Sequence, residues 1–157
     1  MSLQIPTTIN QAVGAVTGFT TPTFTTAASS TTVPNGKTSV VTAKGGTQPA
    51  AVDVHSASRN FSFLSTKPSV VRAVPPLNAA GQLTNVPINV YSMSVKKGLT
   101  CVVGQPSQHG YMKIQFGIPA GSDAVDPDNI AAMVLAGSMA AAQLAQEIVN
   151  TAKTGEI

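Results

Sequence analysis

The chain has 157 residues, a net charge of +3 with 10% charged and 4% aromatic residues, no Trp, and one cysteine, Cys101. That length fits one domain with a core, and a single cysteine excludes the intrachain disulfide framework of a small secreted domain. The mild basic excess falls short of the clustered stripe of a dedicated DNA-binding domain, although repeated on one face of an assembly it would build a strong field.

The apolar fraction of 43% contains few rings, and aliphatic side chains bury less area per residue than rings do. A lone copy is therefore weakly held, and association that buries more apolar surface would correct this. Residues 1–10, MSLQIPTTIN, lack the basic start and apolar core of an export signal. The most apolar window, residues 130–142, is too short to cross a membrane. The expectation is a soluble chain made in a cytoplasm, with no membrane partner.

Residues 7–47 are rich in Thr, Ser, Ala and Gly and nearly uncharged. The β-branched content favours short strands over a disordered linker, with Asn35-Gly36 as a hairpin turn signal between β-branched stretches. In residues 52–66, VDVHSASRNFSFLST, a two-residue period places His55, Ala57, Arg59, Phe61 and Phe63 on one face. A short strand, VVRAV, is expected over residues 70–74, stopped by Pro75-Pro76, and a loop follows. Residues 86–98, VPINVYSMSVKKG, alternate more clearly. Tyr91, Met93 and Val95 point one way, and Ser92, Ser94 and Lys96 the other. LTCVVG at residues 99–104 is ambiguous, and Cys101 within it reads as a buried, inert thiol or as a bridge to another copy.

Residues 111–119, YMKIQFGIP, form the last strand. Met112, Ile114, Phe116 and Ile118 share one face, while Tyr111, Lys113 and Gln115 share the other. Asp126 is a natural N-cap, with Pro127 at the first helical position and Asp128 at the positive end of the dipole. Small or apolar residues then recur at helical spacing to Ala152. Gly137 and Ser138 could bend or split this helix, and Gly155 marks its stop. Strands followed by a terminal helical region give an α+β domain. It spans residues 1–157 and has three parts: a Thr/Ser-rich hairpin and strands (1–50), a main antiparallel sheet (51–119), and a helical region (126–153) covering one sheet face. The other face is left to water or a ligand.

Catalytic chemistry is absent from the pattern. His55, His109 and Cys101 make no zinc spacing. The acids Asp123, Asp126 and Asp128 lack the Gly and closing Glu of a calcium loop and are better read as capping. No phosphate loop, dinucleotide fingerprint or nucleophile elbow occurs. No catalytic residue, metal or cofactor is assigned, and no small-molecule substrate. The polar strand faces offer a different chemistry: a Tyr ring can stack on an unpaired base, Lys can meet phosphate, and Ser or Gln can bond to base edges and sugar hydroxyls.

The stretch YMKIQFGIPAGSDAVDPDNIAAMVLAGSMAAAQLAQEIVN, with NVYSMSVKKG before it, resembles the end of coat proteins from single-stranded RNA bacteriophages, the levivirus group. The resemblance covers residues 86–152. It implies an N-terminal hairpin, a five-stranded antiparallel sheet and C-terminal helices, with two copies intertwined into one dimer and dimers closed into an icosahedral virion shell. It also implies an inward sheet face that binds a stem-loop of the RNA genome and, in several members, represses replicase translation. By position, Tyr111 matches the family's base-stacking tyrosine, Lys113 and Gln115 the polar positions after it, and Ser92, Ser94 and Lys96 the inward positions of the earlier strand. The competing reading is another self-assembling phage subunit, of tail, decoration or pilin-like type, that binds no RNA.

Overall fold

A computed structural model describes residues 7–10 and 15–156. Residues 1–6 of the stretch scanned for an export signal lie outside the described set. Six strands precede three helices: β1 (Thr8–Asn10), β2 (Thr20–Ala28), β3 (Gly36–Thr47), β4 (Phe61–Thr66), β5 (Ile88–Leu99), β6 (Gln108–Pro119), α1 (Ser122–Val125), α2 (Pro127–Gln143) and α3 (Ala145–Thr154). The strands form one antiparallel sheet in chain order, so the fold is α+β, with β6 on one outer edge. The N-terminal hairpin is part of that sheet rather than an addition to it, which gives six strands where about five were expected.

The turn signal at Asn35-Gly36 is used. Asn35 adopts φ 56°, the left-handed conformation that Asn tolerates, and the Gly36 amide donates to the Val33 carbonyl at 3.1 Å. The β-branched residues just before this turn belong to the connection, and β2 ends earlier, at Ala28. Further along, Thr26 opposes Val41 and Thr25 opposes Ala43, so Thr42 is an extra residue that bulges β3.

The register sorts side chains onto two faces, because directly opposed residues point the same way. One face is apolar. Val41, Phe61 and Phe63 are buried there, and Ile9, Phe24, Met93 and Val95 pack against them. Phe24 meets Phe61 edge-on at 5.4 Å, and Phe61 stacks with Phe63 at 6.4 Å. Toward the outer edge Tyr91 and Phe116, opposed in the β5–β6 register, stack at 5.4 Å. Beyond them the cover runs out: Met112 and Ile114, on this same face, remain exposed.

Three expected features are corrected. The strand foreseen over residues 52–66 begins only at Phe61, because residues 56–59 close a turn. The Arg59 amide donates to both the carbonyl and the Oγ of Ser56. The Phe61 amide is instead taken by His55 Nδ1 at 3.1 Å. The strand over residues 70–74 does not form, since the buried Asn89 side chain occupies the backbone there: its Oδ1 accepts from the Arg72 amide at 2.8 Å and its Nδ2 donates to the Arg72 carbonyl at 3.0 Å. Cys101 is exposed in the turn between β5 and β6, which overturns its reading as a buried thiol.

The helical region begins as expected, with Asp126 before Pro127, although the Asp126 carboxylate binds the Asn129 side chain instead of a backbone amide. The chain does not break at Gly137 and Ser138. It bends by 60° at Leu144, between α2 and α3. Gly155 ends α3 in the left-handed conformation, its amide donating to the Thr151 carbonyl at 2.8 Å. α1 lies against β6, while α2 packs on α1 and α3. None of the three helices has a buried residue. Met133, Leu135, Met139 and Leu144 are exposed, while Met112 and Ile114 on the apolar sheet face also lack cover. No single helix among the described residues is long and apolar enough to cross a membrane.

Candidate nucleic-acid interface

The opposite sheet face is polar, and the register gathers all six residues foreseen for it. Lys96 opposes Tyr111, Ser94 opposes Lys113, and Ser92 opposes Gln115. Strands lie about 4.8 Å apart, and alternate residues about 7 Å apart along each strand. The three pairs therefore tile a patch about 14 Å long on β5 and β6.

The six are not equally available. Tyr111 is 77% exposed, and Lys96, Lys113 and Gln115 are exposed beside it. Ser94 is half-buried. Ser92 is 8% exposed, and its hydroxyl lies 2.7 Å from Thr66 Oγ1, so it belongs to the floor of the patch. A ring, two ammonium groups and a side-chain amide thus stand above small hydroxyls.

The residues expected on this face end at β5, whereas the register extends the face inward. Ser62 opposes Lys96, Leu64 opposes Ser94 and Thr66 opposes Ser92; Val40 and Thr38 lie beyond them on β3. Extending the alternation of residues 61–66 would have found the β4 members. Arg59, expected on the face of Phe61 and Phe63, lies before β4 and pairs with Asp53 at 3.5 Å.

Alternation also separates two adjacent lysines. Lys97 points to the apolar face, 4.5 Å over the Phe61 ring, and donates to the Asp53 carbonyl. Partial burial pushes its ammonium below the usual range, Asp53 opposes that shift, and Arg59 and Lys44 add to it. Only Lys96 of the pair faces the patch.

Charge divides along the chain in the same sense. Eight of the nine cations and one of the six acids precede residue 122, so the sheet body carries +7 and residues 122–157 carry −4. No acid occurs among the β4, β5 and β6 residues of the polar face. Among the described residues no three His, Cys, Asp or Glu side chains gather as a metal site.

No family model and no curated protein matches the sequence. A solved structure does. The chain is similar to the virus-like particle of bacteriophage ESE020, with 33% identity, a TM-score of 0.90, and coverage of 99% of this chain and 100% of that one. The chain is a bacteriophage coat protein. The match takes in the N-terminal strands that precede the resemblance over residues 86–152, so β1 to β3 are part of the coat-protein fold.

Proposed function

We propose that this coat protein belongs to the levivirus type. Two copies join as an intertwined dimer, dimers close into an icosahedral virion shell, and the polar sheet face lines the interior, binding single-stranded RNA. Tyr111 stacks on an unpaired base. Lys96 and Lys113 meet phosphates, Gln115 and Ser94 bond to base edges or sugar hydroxyls, and Ser92 supports them from below. Stem-loop binding on that face would also give the replicase repression that the family resemblance implies.

The observation that carries this reading is the pairing of three strand partners on one acid-free face, opposite an apolar face that the chain's own helices leave partly bare. A second copy supplies the missing cover: its α2 and α3 lie on the exposed Met112–Ile114 side of the sheet, and the two-fold axis makes the contact self-complementary. The charge division assists, since an acidic helical region meets a basic sheet body.

Expression of the chain followed by electron microscopy and nuclease digestion tests the proposal. Closed particles holding nuclease-protected RNA are expected. Filaments, or rings without RNA, would point to the tail, decoration or pilin-like alternative, and a small soluble species would refute self-assembly altogether.

A further inference from the structure

Residues 67–87, between β4 and β5, form a 21-residue connection without a helix or strand. A connection that long inside a compact domain is either disordered or functional, and this one is held in place. Asn89 clamps it through both backbone groups of Arg72. Asn78 Oδ1 accepts from the amides of Ala80 and Gln82 at 3.0 and 2.9 Å, and the Asn78 amide donates to the Gln82 carbonyl at 2.9 Å. At its ends the Lys67 amide donates to the Asn35 carbonyl, and the Pro87 carbonyl accepts from Ala120, both at 2.9 Å.

The fixed segment displays apolar side chains. Val70 is 71% exposed and Leu77 62%, with Val71, Val74 and Leu83 also exposed. Residues 73–87 contain no charged residue, and residues 67–87 no aromatic ring. RNA is a poor partner for residues 73–87, which offer neither phosphate contacts nor stacking, and the two cations of the segment, Lys67 and Arg72, stand near its start. A rigid, mainly apolar outcrop suits a protein surface of the same kind. The matched structure is a particle, and a particle requires contacts beyond a single two-fold pair.

We infer that the 67–87 segment is an assembly contact whose occupant is a second dimer of this same chain. The inference rests on the capsid reading above. Order imposed beforehand by Asn89 and Asn78 lowers the cost of fixing the segment on contact.

The test is the double variant Val70→Asp/Leu77→Asp, which puts two carboxylates on side chains exposed in the single chain. Dimer mass and thermal midpoint should match wild type, while particle yield under wild-type assembly conditions should drop by about tenfold or more. Wild-type yield from the variant would overturn the inference. A second measurement needs no variant: amide hydrogen exchange over residues 73–86 should be slower in wild-type particles than in dissociated wild-type dimers, and equal exchange in the two would overturn it. Particle formation by wild type is scored first, since its absence would sink the capsid reading and not this contact alone.

Discussion

Replacing Tyr111 by Ala removes a ring that is 77% exposed, so the fold should barely register the change; substitutions of this kind usually stay within about 0.5 kcal/mol. RNA binding should register it strongly. A base stacked on an aromatic ring contributes about 1–3 kcal/mol by alanine substitution, which corresponds to about 5- to 150-fold in Kd. Tyr111→Phe keeps the π-face and gives up the hydroxyl, so its affinity should remain within about threefold, the span of one modest hydrogen bond. Fluorescence anisotropy of dissociated dimers with a short labelled stem-loop, at fixed salt, measures all three proteins, and thermal unfolding confirms equal folding. Equal affinity for wild type and Tyr111→Ala at equal thermal midpoints would refute the placement of RNA on this face. Equal losses for Ala and Phe would assign the effect to the hydroxyl and refute stacking.

Lys113→Ala and Lys96→Ala should each weaken RNA binding without regard to sequence and reduce the slope of log K against log salt by about 0.7–0.9. An unchanged slope in a salt titration would mean that the ammonium group meets no phosphate. Phe61→Ala should destabilise the chain by about 3–5 kcal/mol, because Phe61 is 9% exposed and touches Phe24, Phe63 and the Lys97 ammonium; denaturant unfolding showing a loss below about 1 kcal/mol would contradict its place in the core. Gly121→Ala should destabilise by about 1–3 kcal/mol, since Gly121 holds φ 83° and an added Cβ would run into the Val74 side chain. Adding Val74→Ala should recover only the steric part of that loss by the same measurement, and full recovery would show that the backbone conformation costs nothing.

The residues of the polar patch were legible because β5 and β6 alternate cleanly. Tyr91, Met93 and Val95 separate from Ser92, Ser94 and Lys96 within one strand, and Met112, Ile114 and Phe116 separate from Tyr111, Lys113 and Gln115 in the other. Their cross-strand pairing follows from the turn at residues 100–107, whose register no local pattern states. The start of α2 was legible from Asp126 and Pro127, whereas the bend at Leu144 carries no Pro or Gly to announce it.

Where expectation and structure part, a side chain or a turn had taken the backbone groups, or the strand had already ended. The alternation of residues 52–60 is genuine, yet Ser56 closes a turn with Arg59 and His55 takes the Phe61 amide. VVRAV has strand-forming composition, but its partner is a single side chain, Asn89, seventeen residues on. Cys101 sits among β-branched residues and reads as strand interior; β5 ends at Leu99, however, and leaves it in a turn.

The helices were foreseen as the cover of a sheet face, but nothing in their small-residue stripe says whose face it is. In the single chain neither α2 nor α3 buries a residue, and Met112 and Ile114 stay exposed opposite the proposed RNA face. The mass of the purified, RNA-free chain, followed by sedimentation over a dilution series under native conditions, tests that dependence most directly. The account predicts a folded species of twice the 15.9 kDa chain mass that loses its structure as it dissociates. A folded monomer that persists on dilution with an unchanged thermal midpoint would contradict it.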